Sequence, residues 1–358
     1  MKGTRAEARS INSWLETLNA RAHSCRQELY AGGKAFTATH IRKLMQGEEL
    51  EPPRMLSEAW NYHVAHIAGL LGKDYSLATM KKYGTAYKAL QKFLLQQFKS
   101  IDIRLDKLDH RFVKEYEYYL KADYGVKNNT AVGMIKKLRT VIRIAMDFGW
   151  LLRDPFIAHR MKTTEVHRNY LSGPELNALV TRKFRGRRLR RVRDLFLFSC
   201  YTGLSYADTQ KLTAADLFLN EAGEQWIETH RVKNNNRVRL PLLAPALALI
   251  NYYCDQPGIP EGKLLPQITN QRANQYLKDI ARDLGLKKHL TFHCARHTFA
   301  TTVTLTNGVP METVGQMLGH KNIRSTQLYA RVTDTKVAAD MEPLREKFKG
   351  VRLELAGD

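Results

Sequence analysis

The chain has 358 residues, 44% of them hydrophobic, which is enough to bury more than one core and excludes a disordered chain. Its 57 Lys and Arg against 35 Asp and Glu leave a formal charge of +22, a field that draws in polyanions, nucleic acid ahead of a membrane surface. No apolar run approaches the ~20 residues that cross a bilayer, and the start Met1-Lys2-Gly3-Thr4 carries no apolar signal core, so a soluble, cytoplasmic protein is expected.

Residues 10 to 31 read as one amphipathic helix, with Ile11, Trp14, Leu15, Leu18, Ala22, Cys25 and Leu29 on one face and Gly32-Gly33 ending it. A short helix over 38 to 46 follows, and Glu48 to Pro53 reads as a linker. Four helical segments come next, near 56 to 71, 77 to 98, 110 to 122 and 130 to 147. The last puts Ile135, Leu138, Ile142 and Ala145 on one face, while Lys136, Lys137, Arg139 and Arg143 lie around it. Such a charged face is either solvated or turned to DNA, and the net charge of the chain favours DNA. The polar stretch 160 to 170 marks a second boundary.

From Leu171 on, helices alternate with a few strands, the pattern of an α+β domain. Ser172-Gly173-Pro174-Glu175 reads as a helix start closed by a capping box. The run 182 to 193, RKFRGRRLRRVR, is a solvated loop or a phosphate-binding patch, with Arg187, Arg188 and Arg190 as candidate DNA contacts. A β-hairpin is expected from Trp226-Ile227-Glu228-Thr229-His230-Arg231-Val232, a turn at Asn234-Asn235-Asn236, and Val238-Arg239-Leu240 closed by Pro241. Lys233 stands beside the turn. Asp334 to Lys349 reads as a helix with Val337, Met341, Leu344 and Phe348 on one face. The cysteines Cys25, Cys200, Cys254 and Cys294 form no C-x-x-C pair, so neither a disulfide framework nor a zinc ribbon is expected.

Three segments stand out: Cys200-Tyr201-Thr202-Gly203-Leu204-Ser205-Tyr206-Ala207-Asp208; Thr291-Phe292-His293-Cys294-Ala295-Arg296-His297-Thr298; and Met317-Leu318-Gly319-His320-Lys321-Asn322 leading to Gln327-Leu328-Tyr329-Ala330. The second and third resemble the H-x-x-R and L-G-H…Y signatures of the tyrosine recombinase (phage integrase) family, and the first is similar to its T-G-L-R motif. The resemblance covers roughly residues 171 to 331, and the helices over 55 to 148 resemble the family's SAM-like core-binding domain. Integrases of Bacteroides-type mobile elements, such as conjugative transposons, are the nearest in pattern.

The resemblance implies a mainly α fold with a small β component. A helical remnant of an arm-binding region with its linker would fill residues 1–52, a SAM-like core-binding domain 53–160, and an α+β catalytic domain with a C-terminal packing helix 165–358. It implies cleavage and rejoining of double-stranded DNA through a 3′-phosphotyrosine on Tyr329, for integration or excision of a mobile element. Arg296 would clamp the phosphate, His293 and His320 assist proton transfer, and Lys233 protonate the leaving 5′ oxygen. Assembly as a tetramer on DNA, accessory DNA-bending proteins and no cofactor or membrane are also implied. In the family, a helix after the tyrosine often docks on a neighbouring protomer.

The residue types suit that chemistry independently. Tyrosine is a weak nucleophile at neutral pH, with a pKa of about 10, and needs cations and a base beside it. Arginine offers a planar, permanently charged fork to the non-bridging oxygens. His293 and His297, four apart, could instead suggest a metal pair, but Cys294 stands where a zincin has Glu.

One position breaks the pattern. The family's first arginine should stand at 205, where this chain has Ser205; Asp208 resembles the acid that accompanies that arginine. Losing one transition-state donor typically costs about 10²- to 10³-fold in rate. Arg231, two residues before Lys233 and so on the same face of a strand, is the expected substitute, with Arg193 second. Serine at this position is also found in the Bacteroides-type branch. A non-catalytic DNA-binding regulator and a type IB topoisomerase are the competing readings, the latter opposed by the core-binding helices and the T-G-L-like motif.

Overall fold

The computed structural model describes residues 5–31, 36–48, 54–166, 168–254, 256–329 and 334–350. The chain divides into two compact units, residues 1–165 and 166–358. It is mostly helical with one small sheet, as the sequence leads one to expect.

In the first unit, α1 (Arg5–Ala31) and α2 (Ala38–Met45) precede a bundle of α3 (Leu56–Gly69), α4 (Leu77–Phe98), α5 (His110–Ala122) and α6 (Asn128–Asp147). The apolar face expected on α1 is largely unburied: Trp14 is 62% exposed, and Leu29 alone of that set is buried. The bundle starts where capping chemistry permits. Ser76 Oγ accepts the Thr79 amide at 3.2 Å, and Asp109 Oδ1 accepts the Phe112 amide at 2.8 Å. Phe93 is central to the core, its ring 5.2 to 5.4 Å from those of Phe112, Tyr116 and Tyr119. α6 begins at Asn128, two residues earlier than its periodicity indicates. Asn129 pairs with the backbone of Thr164 through both its amide atoms, at 2.7 and 2.8 Å, and so fixes part of the polar stretch.

The second unit opens with α7 (Gly173–Thr181), capped as expected by Ser172 and Glu175. Then follow α8 (Arg187–Thr202), α9 (Tyr206–Lys211) and an antiparallel sheet of β1 (Leu217–Leu219), β2 (Gln225–His230) and β3 (Arg237–Pro241) in that order. The expected hairpin is present, with Ile227 opposite Leu240, but its first strand stops at His230 and not at Val232; the short third strand is an addition. α10 (Ala244–Cys254) and α11 (Asn270–Asp283) follow. α12 (Phe292–Thr298) opens into a π-turn over Phe299–Thr304, then come α13 (Met311–Met317), α14 (Arg324–Gln327) and α15 (Asp334–Phe348). α8 is the buried axis: Leu195, Phe196, Phe198 and Cys200 are closed off from solvent. It ends at Gly203, whose φ of +68° is left-handed. A Cβ there would stand 2.5 Å from Phe299 Cδ1, so only glycine brings this turn against the π-turn.

Candidate active site

α12 supplies the central cation. Thr291 caps it, and Arg296 one turn later is 2% exposed. Its guanidinium donates to the Gly203 carbonyl at 2.7 Å and to the Leu318 carbonyl at 2.5 Å. A third contact, 3.1 Å long, goes to His320 Nε2. Arg296 thereby ties the end of α8 to the end of α13. Burial first, then the charge of Arg231, lowers its pKa to about 10, so it stays cationic at neutral pH.

His320 follows Gly319, which has a φ of +63°. A Cβ at Gly319 would stand 2.8 Å from Val238 Cγ2 and 3.0 Å from Arg231 Cδ. The hairpin therefore rests directly on this turn, and Asn236 Nδ2 donates to the Gly319 carbonyl at 2.8 Å. An arginine can only donate, so His320 Nε2 is the acceptor and Nδ1 carries the proton towards Thr326 Oγ1, 2.9 Å away. Tyr329, 7% exposed, packs against Phe299, Ala300, Val314 and Leu318. Its ring lies parallel to that of His320 at 6.0 Å and tilted over that of His297 at 4.6 Å. The phenol also interacts with Arg296 by charge and hydrogen bond.

Ser205 caps α9 and donates its hydroxyl to Asp208 Oδ2 at 2.7 Å. Asp208, 1% exposed, also accepts the Val232 amide at 2.8 Å and lies 3.8 Å from Arg231 Nε. The acid thus holds the chain just beyond β2. That corrects one expectation: β2 ends at His230, so Arg231 and Lys233 do not share a strand face. Arg231 reaches the cluster instead because Asp208 fixes the backbone beside it, and its charge acts on His293, Arg296 and His320. Lys233 sits exposed in the turn, its charge acting on His293.

Arg193 is a second correction. α8 begins at Arg187, which puts Arg193 in its second turn. Arg193 Nε donates to Asp194 at 2.7 Å and NH1 to the Arg182 carbonyl at 3.1 Å. Nine residues of helix, about 14 Å, separate it from Thr202, so it does not join the cluster.

Sequence reading missed two members. Arg168, in the stretch read as a polar boundary, places NH1 2.5 Å from His293 Nε2. Again the arginine must donate, which leaves the His293 proton on Nδ1. His297, weighed earlier only as a metal partner, is buried with its Nε2 unpartnered among the described residues. Its ring is 4.8 Å from that of His293 and underlies Tyr329. Its place beside Arg296 in the motif was the available signal; for Arg168 there was only its charge. Among the described residues no group of three or more His, Cys, Asp or Glu could hold a metal.

The three histidines are held neutral. Desolvation is the largest cause in each, followed by neighbouring charge. His293 falls to about 4, with Arg168 the foremost charge; His297 falls to about 3, and His320 to about 4 beside Arg296. Their ordinary pKa is 6.5, so as pH falls below that value the unfolded chain takes up protons that the folded chain refuses until near 3 to 4. Their contribution to stability is complete above about pH 6.5 and lost below it. The melting temperature should therefore drop from pH 7 to pH 5, and less steeply in His297→Phe. A melting temperature that is flat or rising over that range contradicts the assignment.

The expected DNA contacts are scattered. On α6, Lys136 and Arg143 are exposed. Lys137 donates to the Gly133 carbonyl at 2.9 Å and lies over the Tyr83 ring, while Arg139 lies over the Phe156 ring. Arg187, Arg188 and Arg190 stand at the start of α8, about 20 Å along the helix from Thr202 at its other end. Arg187 donates to the Pro257 carbonyl at 2.6 Å.

Residues 55–162 match the phage integrase SAM-like domain, and residues 170–336 match the phage integrase family. Tyrosine recombinase XerD of Listeria innocua is 30% identical over 148 residues, 38% of this chain and 48% of that protein. The chain thus spans about half the length of the Listeria relatives it matches. Tyrosine recombinase XerC of Roseiflexus sp. is 24% identical over 265 residues, 68% of this chain and 82% of that one. The fold is shared with a lambda integrase dimer bound to a COC′ core site, at a TM-score of 0.63, 15% identity and coverage of 78% and 97%. It is shared too with the Tn1549 transposon integrase in complex with a circular intermediate DNA, at a TM-score of 0.61, 18% identity and coverage of 80% and 99%. With both units matched by their own family models, the chain belongs to the phage integrase, or tyrosine recombinase, family.

Proposed function

We propose that the chain is a site-specific recombinase that cuts and rejoins double-stranded DNA, with Tyr329 as its nucleophile. The observation that carries this reading is one pocket where residues from distant segments meet: the Arg296–His320 contact of 3.1 Å beside the Tyr329 ring, with Arg231 laid across Gly319.

The Tyr329 oxygen attacks the scissile phosphorus, the bond to the 5′ oxygen breaks, and a 3′-phosphotyrosine forms. The new ester retains the energy of the old one, so rejoining needs no ATP. Arg296 and Arg231 hold the non-bridging oxygens, where a planar cation is most effective. As Arg296 turns to the phosphate, His320 Nε2 becomes free to accept the phenolic proton; His293 offers a second such nitrogen. Lys233 gives a proton to the leaving oxygen.

Residues 1–52 are assigned to an arm-binding region and linker, 53–160 to a core-binding domain, and 165–358 to the catalytic domain. The reading extends to a Bacteroides-type mobile element as host, a tetramer on DNA with accessory DNA-bending proteins, and action in the bacterial cytoplasm. Met341, Leu344 and Phe348 are exposed on α15 and suit docking on a neighbouring protomer; Val337 lies among side chains outside the described set.

Ser205 favours a second reading, a DNA-binding regulator without catalysis. An SDS-resistant adduct on a nicked duplex from the element's ends decides between them. In that assay Arg231→Ala should slow cleavage about 10²- to 10³-fold, as loss of one transition-state donor does. Cleavage by Arg231→Ala at the wild-type rate sinks the assignment of Arg231.

A further inference from the structure

We infer that Arg168 is a third guanidinium for the scissile phosphate, parked on His293 until DNA arrives. This rests on the recombinase reading above and adds to it a residue outside the family's motifs. Three observations support it.

The first is how firmly the segment is fixed. Residues 168–172 form a strap along α12 and the loop before it. The Leu171 amide donates to Thr298 Oγ1 at 2.9 Å, and Thr302 Oγ1 donates to the Leu171 carbonyl. Lys288 Nζ donates to the Tyr170 carbonyl at 2.9 Å and to Glu175 at 2.6 Å. The chain two and three residues beyond Arg168 is thereby tied to Thr298 on the helix that presents His293, Arg296 and His297, and to the segments on either side of that helix.

The second is the unbalanced charge. Arg168 is exposed, and its contact is with His293, a catalytic candidate, at 2.5 Å. Among the described residues no carboxylate pairs with it. Arg231, Arg296 and Lys233 surround the same histidine, and Asp208 is the acid acting within this group. Four permanent or near-permanent cations against one buried carboxylate make a site that lacks an anion. A phosphodiester supplies one, with two non-bridging oxygens for paired contacts.

The third is the vacancy at 205. Serine there caps α9 and bonds Asp208, so its hydroxyl is turned to the acid. The motif's missing cation leaves a deficit that Arg231 covers from the hairpin side. Arg168 comes from the strap before α7 and rests on His293. When it turns to phosphate it also releases His293 Nε2 to accept a proton.

The test uses the full chain on two nicked duplexes from the element's ends, one with an ordinary scissile phosphate and one with a methylphosphonate there. The methyl group removes the negative charge that an arginine would meet. Arg168→Ala should form adduct on the phosphodiester about 10²-fold more slowly, by analogy with loss of one oxyanion donor. On the methylphosphonate it should match wild type, and Arg168→Lys should recover part of the phosphodiester rate. Equal slowing on both duplexes makes Arg168 structural and overturns the proposal, as does an unchanged phosphodiester rate. Failure of the wild-type chain to form adduct on either duplex instead removes the recombinase reading itself.

Discussion

Tyr329→Phe is expected to abolish the covalent protein–DNA adduct while leaving duplex binding unchanged. The substitution deletes one oxygen and keeps the ring. That ring packs against Phe299, Val314 and Leu318, and contacts those of His297 and His320, so the site should keep its shape. Among the described residues the other hydroxyl beside His320 is that of Thr326, whose oxygen is tied to His320 Nδ1. Gel-shift affinity and adduct yield measured on the same nicked duplex separate the two effects. Residual adduct in Tyr329→Phe would assign the nucleophile elsewhere.

Arg296→Ala should be nearly as severe, and for two reasons. It removes a donor to the transition state, worth about 10²- to 10³-fold. It also strands the carbonyls of Gly203 and Leu318 in a buried site, at about 1 to 3 kcal/mol for each group left unpaired. The variant should therefore melt lower as well as cleave more slowly. Arg296→Lys separates the contributions: it keeps the charge but cannot span both carbonyls and the histidine, so stability should recover further than rate. Full activity in Arg296→Lys would mean that the planar fork is not what the phosphate requires. Chemical denaturation and single-turnover cleavage provide the two readouts.

Much of this was legible in the residues. The bundle helices follow from 3.6-residue periodicity, and the structure adds Ser76 and Asp109 as the caps of two of them. His293, Arg296, His320 and Tyr329 lie in segments whose local order is distinctive. What stayed hidden depended on packing across long separations. β1 has three residues, too few to show a period, and exists because Leu217 finds Ile227. β2 stops at His230 because the chain turns there, the Arg231 amide donating to the Asn236 carbonyl and the Asn235 amide to the Arg231 carbonyl, while Asp208, from another element, holds the Val232 amide. Arg168 looked like one more charge in a polar stretch; its position comes from contacts between residues 171 and 298. Arg193 looked free because sequence does not reveal that its neighbour Asp194 is buried beside it. The apolar stripe on α1 was legible and yet is mostly exposed, since periodicity indicates a face but not what covers it.

The most direct test is a structure of the full chain on a nicked duplex from the element's ends, at a resolution that locates the scissile phosphate. The expected result puts the Tyr329 oxygen about 3 to 3.5 Å from the phosphorus, in line with the 5′ oxygen, or already joined to it. Guanidinium groups of Arg296 and Arg231 should hold the non-bridging oxygens, with His293 and His320 at the same phosphate. A phosphate lying elsewhere on the catalytic unit, with the phenol still packed against His297 and His320 in every protomer, would contradict it.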